Sequence, residues 1–193
     1  METIQSFKEL TGKQIDRCKL LALCWLFAVS VFAGGVVTNC TEANLRAAMS
    51  GGGLVAFACD GTITLTDTIT NNVSTTLDAG GHQVTINGGN AVRAFYVNAN
   101  VDLTLVNLTI ANARSDKGAA VFNNGGRLTV RHCRFASNQA IGQSRGLWGL
   151  GEDGSGGALF NTGVSSIANS TFTSNRAYGG DGMEGANTNG GFG

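Results

Sequence analysis

Proline is absent from all 193 residues, and charge is scarce, with 13 basic and 13 acidic side chains. Without proline, turns must come from residues that tolerate a left-handed backbone or hydrogen-bond to it. The 29 glycines and the many asparagines supply them. So little charge excludes a bundle of solvated helices. Nothing in the balance of signs calls for nucleic acid or an anionic membrane as a partner, and no nucleic acid is expected. The apolar content of 42% excludes ordinary disorder for most of the chain.

One long apolar run is present. Residues 1–19 are polar, and Leu20 to Val37 (LLALCWLFAVSVFAGGVV) carry no charge. Val31-Phe32-Ala33 before Gly34 suits signal peptidase, so residues 1–33 read as a secretory signal peptide. The run also just reaches spanning length, which makes an uncleaved signal anchor the alternative. Gly34-Gly35 fits a cleavage site better than a helix interior. Cleavage leaves nine basic and ten acidic residues, a net charge of −1, with Lys117 as the only lysine. Cys40, Cys59 and Cys133 then stand in an oxidising setting.

The mature chain opens on a cap, residues 34–57, with a helix expected over 41–50. Thr41 is its N-cap, Leu45, Ala48 and Met49 form its apolar stripe, and Gly51 ends it. Beyond it come short strands broken by turns. Ile63 and Leu65 alternate with threonines, and Val84-Thr-Ile86 and Ala94-Phe-Tyr-Val97 are each followed by Gly or Asn turns. No helix separates these strands, so a βαβ sheet is excluded.

Two stretches are copies of each other: Gly118 to Asn138 (GAAVFNNGGRLTVRHCRFASN) and Gly156 to Asn175 (GGALFNTGVSSIANSTFTSN). A third copy is fainter, Leu103 to Ile110 against Leu128 to Phe135, at an offset of 25. Repeats of this length, built from short strands, imply a solenoid. The fold expected is all-β, a parallel β-helix over residues 58–193, each strand pairing with its equivalent one coil on. Leu108, Cys133 and Ser170 should form one inward column and Ile110, Phe135 and Phe172 another. Asn123/Asn161 and Asn138/Asn175 fall at turns, either as amide ladders or as residues tolerant of the twist. Gly-rich insertions follow at 139–155 and 176–193, and the helix reads as incomplete at its C-terminus, a fragment whose last coil is open to end-to-end self-association.

Gly156-Gly-Ala-Leu159 and Phe172-Thr-Ser-Asn175, with Phe135-Ala-Ser-Asn138 and Gly118-Ala-Ala-Val121, resemble the GGA(I/L/V) and FxxN motifs of polymorphic outer membrane protein repeats. Residues 40–175 as a whole look like right-handed parallel β-helix proteins of the pectate-lyase-like superfamily, many of which open with a capping helix like Cys40 to Ala48. The resemblance implies fold more than activity, since the family hosts adhesins, passenger domains and lyases. It implies secretion or a place on the bacterial cell surface or outer membrane. Membrane contact would come only through the signal segment or an anchor missing from the C-terminus.

The sugar-cleaving members place carboxylates and a basic residue on neighbouring coils. Here paired Asp, Asn-x-Asp, Gly-His-Gly and Arg-x-Lys are all missing, and Asp60, Asp67, Asp78 and Asp102 are isolated. No catalytic residue, cofactor or metal is therefore expected. The alternative is the N-terminal part of a polysaccharide lyase or hydrolase with catalytic coils beyond residue 193. His132 and Cys133 should point to opposite faces, and neither Glu152-Asp153 nor Asp181/Glu184 fits a calcium-binding repeat.

What remains is one basic coil: Arg127, Arg131, His132 and Arg134. It reads as a soluble face with Arg127 paired to Asp102, or as a groove for acidic polysaccharide or a cell-surface glycan. Asn107, Thr109, Asn169 and Thr171 would be its neighbours, and Trp148 and Tyr178 of the insertions would stack on sugar rings. Cys40 and Cys59 are expected to be disulfide-bonded, leaving Cys133 reduced.

Overall fold

The computed structural model describes residues 34–144 and 150–181. The segment 1–33 read as a signal peptide, Trp148 in the first insertion and residues 182–193 of the second lie outside them.

The chain makes five passes through the same set of sheets. β1 (Val36–Val37), which lies in the first sheet one layer before β2, and α1 (Glu42–Met49) precede the first full pass, which has β2 (Gly53–Phe57), β3 (Gly61–Thr64) and β4 (Ile69–Asn71). The second has β5 (Thr75–Asp78), β6 (Val84–Asn87) and β7 (Phe95–Val97). The third has β8 (Asp102–Val106), β9 (Leu108–Ala111), β10 (Arg114–Ser115) and β11 (Val121–Asn123). The fourth has β12 (Arg127–Arg131), β13 (Arg134–Ala136), β14 (Gln139–Ile141) and β15 (Leu159–Asn161). The fifth has β16 (Val164–Ala168), β17 (Thr171–Thr173) and β18 (Arg176–Tyr178).

Each strand pairs with its equivalent on the passes before and after. The first sheet runs β1-β2-β5-β8-β12-β16, the second β3-β6-β9-β13-β17, the third β4-β7-β11-β15 and the fourth β10-β14-β18. Every ladder among the described residues is parallel. The copies noticed in the sequence are these pairings: Leu128 lies against Leu103, Phe122 against Phe160 and Phe135 against Phe172. The described residues are thus all-β and parallel, with one short helix among them.

Alternation decides what is buried. In β8, Leu103 and Leu105 point inward, and Leu128 and Val130 of β12 continue their columns. Ile63, Ile86, Ile110 and Phe135 form a second column, all fully buried, on which Phe172 stacks with ring planes 4° apart. Cys133 is buried beside them, its backbone N–H held by the Ser170 hydroxyl at 3.1 Å.

Turns are fixed by polar ladders. Asn138 is buried: its amide nitrogen donates to Ile110 O (3.1 Å) and Asn175 Oδ1 (2.9 Å), and its Oδ1 accepts from the Ala113 N–H (2.9 Å). Asn123 donates to Gly126 O and Asn161 Oδ1 in the same manner. The left-handed backbone falls on other residues, among them Asn107, His132, Ser137, Asn169 and Ser174. Of the two readings of these asparagines, hydrogen bonding is the one the geometry carries. Gly156, which starts the second GGA motif, has φ +66°, and a Cβ there would stand 2.2 Å from Leu159 O.

Residues 139 and 176, where the sequence suggests insertions begin, open on strands instead. β14 pairs with both β10 and β18 in the fourth sheet, and the described residues between Ile141 and Ser155, where Ser155 bridges Lys117, carry no strand. Even there the backbone packs closely. A Cβ on Gly142 would lie 1.8 Å from Glu152 O, and Gly180 N–H donates to Glu152 O. Glycine at these positions permits close approach between backbones. The segment read as cap, residues 34–57, likewise contributes β1 and β2 to the first sheet.

Candidate functional site

The fourth pass carries the basic residues together. Alternation turns Arg127, Thr129 and Arg131 of β12 outward, while Leu128 and Val130 are buried. Arg127 and Arg131 are four residues apart on an extended strand, about 13 Å. Arg134 opens β13 and faces out from the second sheet. Between the strands the chain turns at His132, which adopts φ 52°, and the same corner is taken by Asn107 (58°) one pass below and Asn169 (50°) one pass above. Histidine stands where its neighbours have asparagine, a residue that tolerates this backbone readily. Its Nε2 lies 3.3 Å from the Asn169 amide nitrogen.

The three arginines are therefore not one face. Arg127 Nε is 3.8 Å from Asp102 Oδ1 one pass below, both side chains being well exposed. That pair is worth little in stability, yet it partly neutralises Arg127. Arg131 and Arg134 flank the His132 corner with no side-chain partner among the described residues. Arg134 lies between Thr109 and Thr171 and Arg131 between Val106 and Ala168, so the polar neighbours expected from sequence do surround the corner. The other described arginines are engaged, Arg114 excepted: Arg46 with Glu42, Arg93 with Asp116, and Arg176 with the Tyr178 hydroxyl.

The aromatic residues are elsewhere. Tyr178 belongs to β18 in the fourth sheet and not to a loop folded over the arginines, and its hydroxyl accepts from Arg176 at 3.0 Å. Trp148 lies outside the described residues.

Sequence reading missed an outward aromatic ladder on the third sheet. Tyr96, Phe122 and Phe160 follow one another edge to face, each ring centroid 5.1 Å from the next. The Arg93 guanidinium lies over Tyr96 and Phe122 at 5.8 and 5.3 Å, bonds to Asp116 at 3.0 Å and donates to the Lys117 carbonyl. Burial pulls the Arg93 pKa down against the pull of Asp116. Burial raises the Asp116 pKa, but bonds from the Ser115 hydroxyl and the Lys117 N–H, with Arg93 beside it, hold it below the usual carboxylate value. Phe122 and Phe160 signalled this column through the repeat. Tyr96 did not, because the second pass shares no motif with the third.

At the other end, Cys40 and Cys59 are joined by a disulfide with Cα atoms 5.8 Å apart, and Cys133 is free and buried. His132 and Cys133 point to opposite sides, His132 exposed and Cys133 buried. Among the described residues no group of three His, Cys, Asp or Glu side chains is placed to hold a metal ion.

Compared with known proteins, the chain matches no family model, no curated protein and no solved structure. What the structure shows is the parallel all-β architecture; the likeness to the pectate-lyase-like superfamily rests on the sequence motifs alone.

Proposed function

We propose that the chain is a right-handed parallel β-helix, exported to the cell surface or beyond, with a structural or adhesive role in which it binds acidic polysaccharide at the corner of its fourth coil. The coil reading is supported by strands that pair pass upon pass in a constant sheet order. A right-handed connection is the rule for parallel strands in one sheet. Export is supported by the Cys40–Cys59 bridge, a bond that persists in oxidising compartments.

One observation carries the ligand class: Arg131 and Arg134, both exposed and unpaired, stand on either side of one turn, while most other described arginines are engaged. Guanidinium groups grip carboxylates or sulfates in bidentate fashion. The interior is filled by the protein's own side chains, so a ligand must use the outside. Asn169, Thr109 and Thr171 offer hydrogen bonds to sugar hydroxyls beside the two cations.

The test is retention on heparin and on immobilised polygalacturonate at low salt. The Arg131→Ala/Arg134→Ala variant should bind at least about tenfold more weakly, since each charge-assisted hydrogen bond contributes about 1.5–3 kcal/mol. Arg127→Ala, already paired to Asp102, should change little. Equal retention of parent and double variant would remove the polysaccharide reading and leave the structural one.

A further inference from the structure

The fourth sheet carries a second set of cations that the His132 corner does not use. Register places Arg114 of β10 against Gln139 of β14, and Gln139 against Arg176 of β18. Alternation turns this column outward, because Ala140, the next residue of β14, is fully buried. The column reads cation, amide, cation, with Arg114 and Arg176 both exposed and two strand spacings, about 10 Å, apart. Two residues along, Ile141 and Tyr178 pair side by side and face the same way. Tyr178 is 41% exposed, so much of its ring is open to solvent. A shallow depression of about 420 Å³ opens beside Arg114, with Ile141 and Gln143 also in its lining.

Charge balance sets this column apart. Arg46, Arg93 and Arg127 each have a carboxylate beside them, those of Glu42, Asp116 and Asp102. Among the described residues Arg114 has no side-chain partner, and Arg176 donates only to the neutral Tyr178 hydroxyl at 3.0 Å. That bond fixes the guanidinium beside the ring and leaves its charge uncompensated. Asp116, two residues from Arg114, is already held by Arg93. The Gln139 amide between the two cations has no hydrogen-bond partner among the described residues either.

We infer that the outward face of the fourth sheet is a second subsite for acidic polysaccharide, taking one anionic group at Arg114 and another at Arg176 while a sugar ring lies on Tyr178. Each guanidinium offers its fork to a carboxylate or sulfate. The Gln139 amide both donates and accepts, as a sugar hydroxyl between the two anions requires. The Tyr178 ring and Ile141 supply an apolar floor for the C–H face of the sugar. The subsite lies one bend from the corner. From Arg134 the chain reaches Gln139 in five residues, at most about 17 Å. Ala136 and Ser137 are the only side chains between them that reach the surface, and both are small. A polymer long enough to engage both sets binds the second as an intramolecular step. The inference takes its ligand class from the polysaccharide reading but uses none of the corner's residues.

The full chain, purified in mild detergent because of residues 20–37, tests it on immobilised heparin and polygalacturonate at low salt. Arg114→Ala/Arg176→Ala is compared with Arg131→Ala/Arg134→Ala and with Lys117→Ala/Arg127→Ala, which removes the same two charges from other strands and turns. All should keep the parent's circular dichroism spectrum, since these side chains are exposed. Arg114→Ala/Arg176→Ala should bind at least about tenfold more weakly than the charge-matched variant. Tyr178→Ala should weaken binding about threefold or more, and Tyr178→Phe, which keeps the ring, should recover most of it. Loss on heparin alone assigns sulfate as the anion, and loss on polygalacturonate assigns carboxylate. Retention of Arg114→Ala/Arg176→Ala equal to that of the charge-matched variant would overturn the inference, whatever the corner does. If this variant loses binding and Arg131→Ala/Arg134→Ala does not, the fourth-sheet subsite stands and the corner reading falls. A parent retained on neither matrix removes both. Equal or tighter retention on single-stranded DNA would overturn the sugar and leave a general anion surface.

Discussion

Asn138 is a fully buried polar side chain with no orphaned atom, and that makes it a sensitive probe. Asn138→Ala removes the side-chain partner of Ile110 O and of the Ala113 N–H inside the stack and takes one of two donors from Asn175 Oδ1. Each buried unsatisfied group costs about 1–3 kcal/mol, so a loss of about 3 kcal/mol is expected in urea unfolding. Asn175→Ala, on the exposed fifth pass, should lose less. Cys133 offers a second test. Burial pushes its thiol pKa up, so it should react slowly with thiol reagents in the native protein and at once in denaturant. Peptides bearing Cys40 and Cys59 should stay linked until a reductant is added. Both asparagine columns were legible in the sequence because the residues recur at matching positions in near-identical copies. The left-handed angle at His132 was not, since only its pairing with Asn107 and Asn169 reveals which residues share a corner.

At the scale of elements, α1 is set by local chemistry. Thr41 accepts from the Asn44 N–H at 3.3 Å, Glu42 stands in the first turn and Arg46 in the last, with an ion pair of 2.6 Å between them. Burial raises the Glu42 pKa, but Thr66 and Arg46 more than offset this and hold it below its ordinary 4.5. A carboxylate whose folded pKa is depressed adds stability above its unfolded pKa and loses it as pH falls through the folded value. Acid titration should therefore destabilise the parent below about pH 4.5, and Glu42→Gln should flatten that part of the curve while lowering stability at pH 7. The helix and strands with clear alternation were readable in advance. The fourth sheet was not, because Gln139–Ile141 and Arg176–Tyr178 are three-residue strands inside glycine-rich sequence and show no period of their own. Gly156→Ala is the test of a third device. Its positive φ and the 2.2 Å approach to Leu159 O should cost at least 1 kcal/mol, roughly, in thermal or urea unfolding, whereas Gly80→Ala, also at positive φ but with open space around it, should cost less.

For the whole molecule, stability is distributed along the stack, and the disulfide ties its start. Cys40 and Cys59 are 19 residues apart, and closing a loop of that size contributes about 3 kcal/mol in the chain-entropy view. Reduction should lower the Tm and expose the α1 end first, read as lost hydrogen-exchange protection at Leu45 and Met49 before Phe135.

The offset of 25 residues between Leu103 and Leu128 has a consequence for how such a chain can grow. On the coil reading proposed above, each strand pairs only with the strands immediately beside it in its sheet, so an in-frame duplication of residues 103–127 would insert a complete layer in which every strand, inward column and asparagine finds an equivalent neighbour. The molecule would lengthen by one strand spacing, about 4.8 Å, without a new fold. Its length is a heritable quantity that can change by single recombination events.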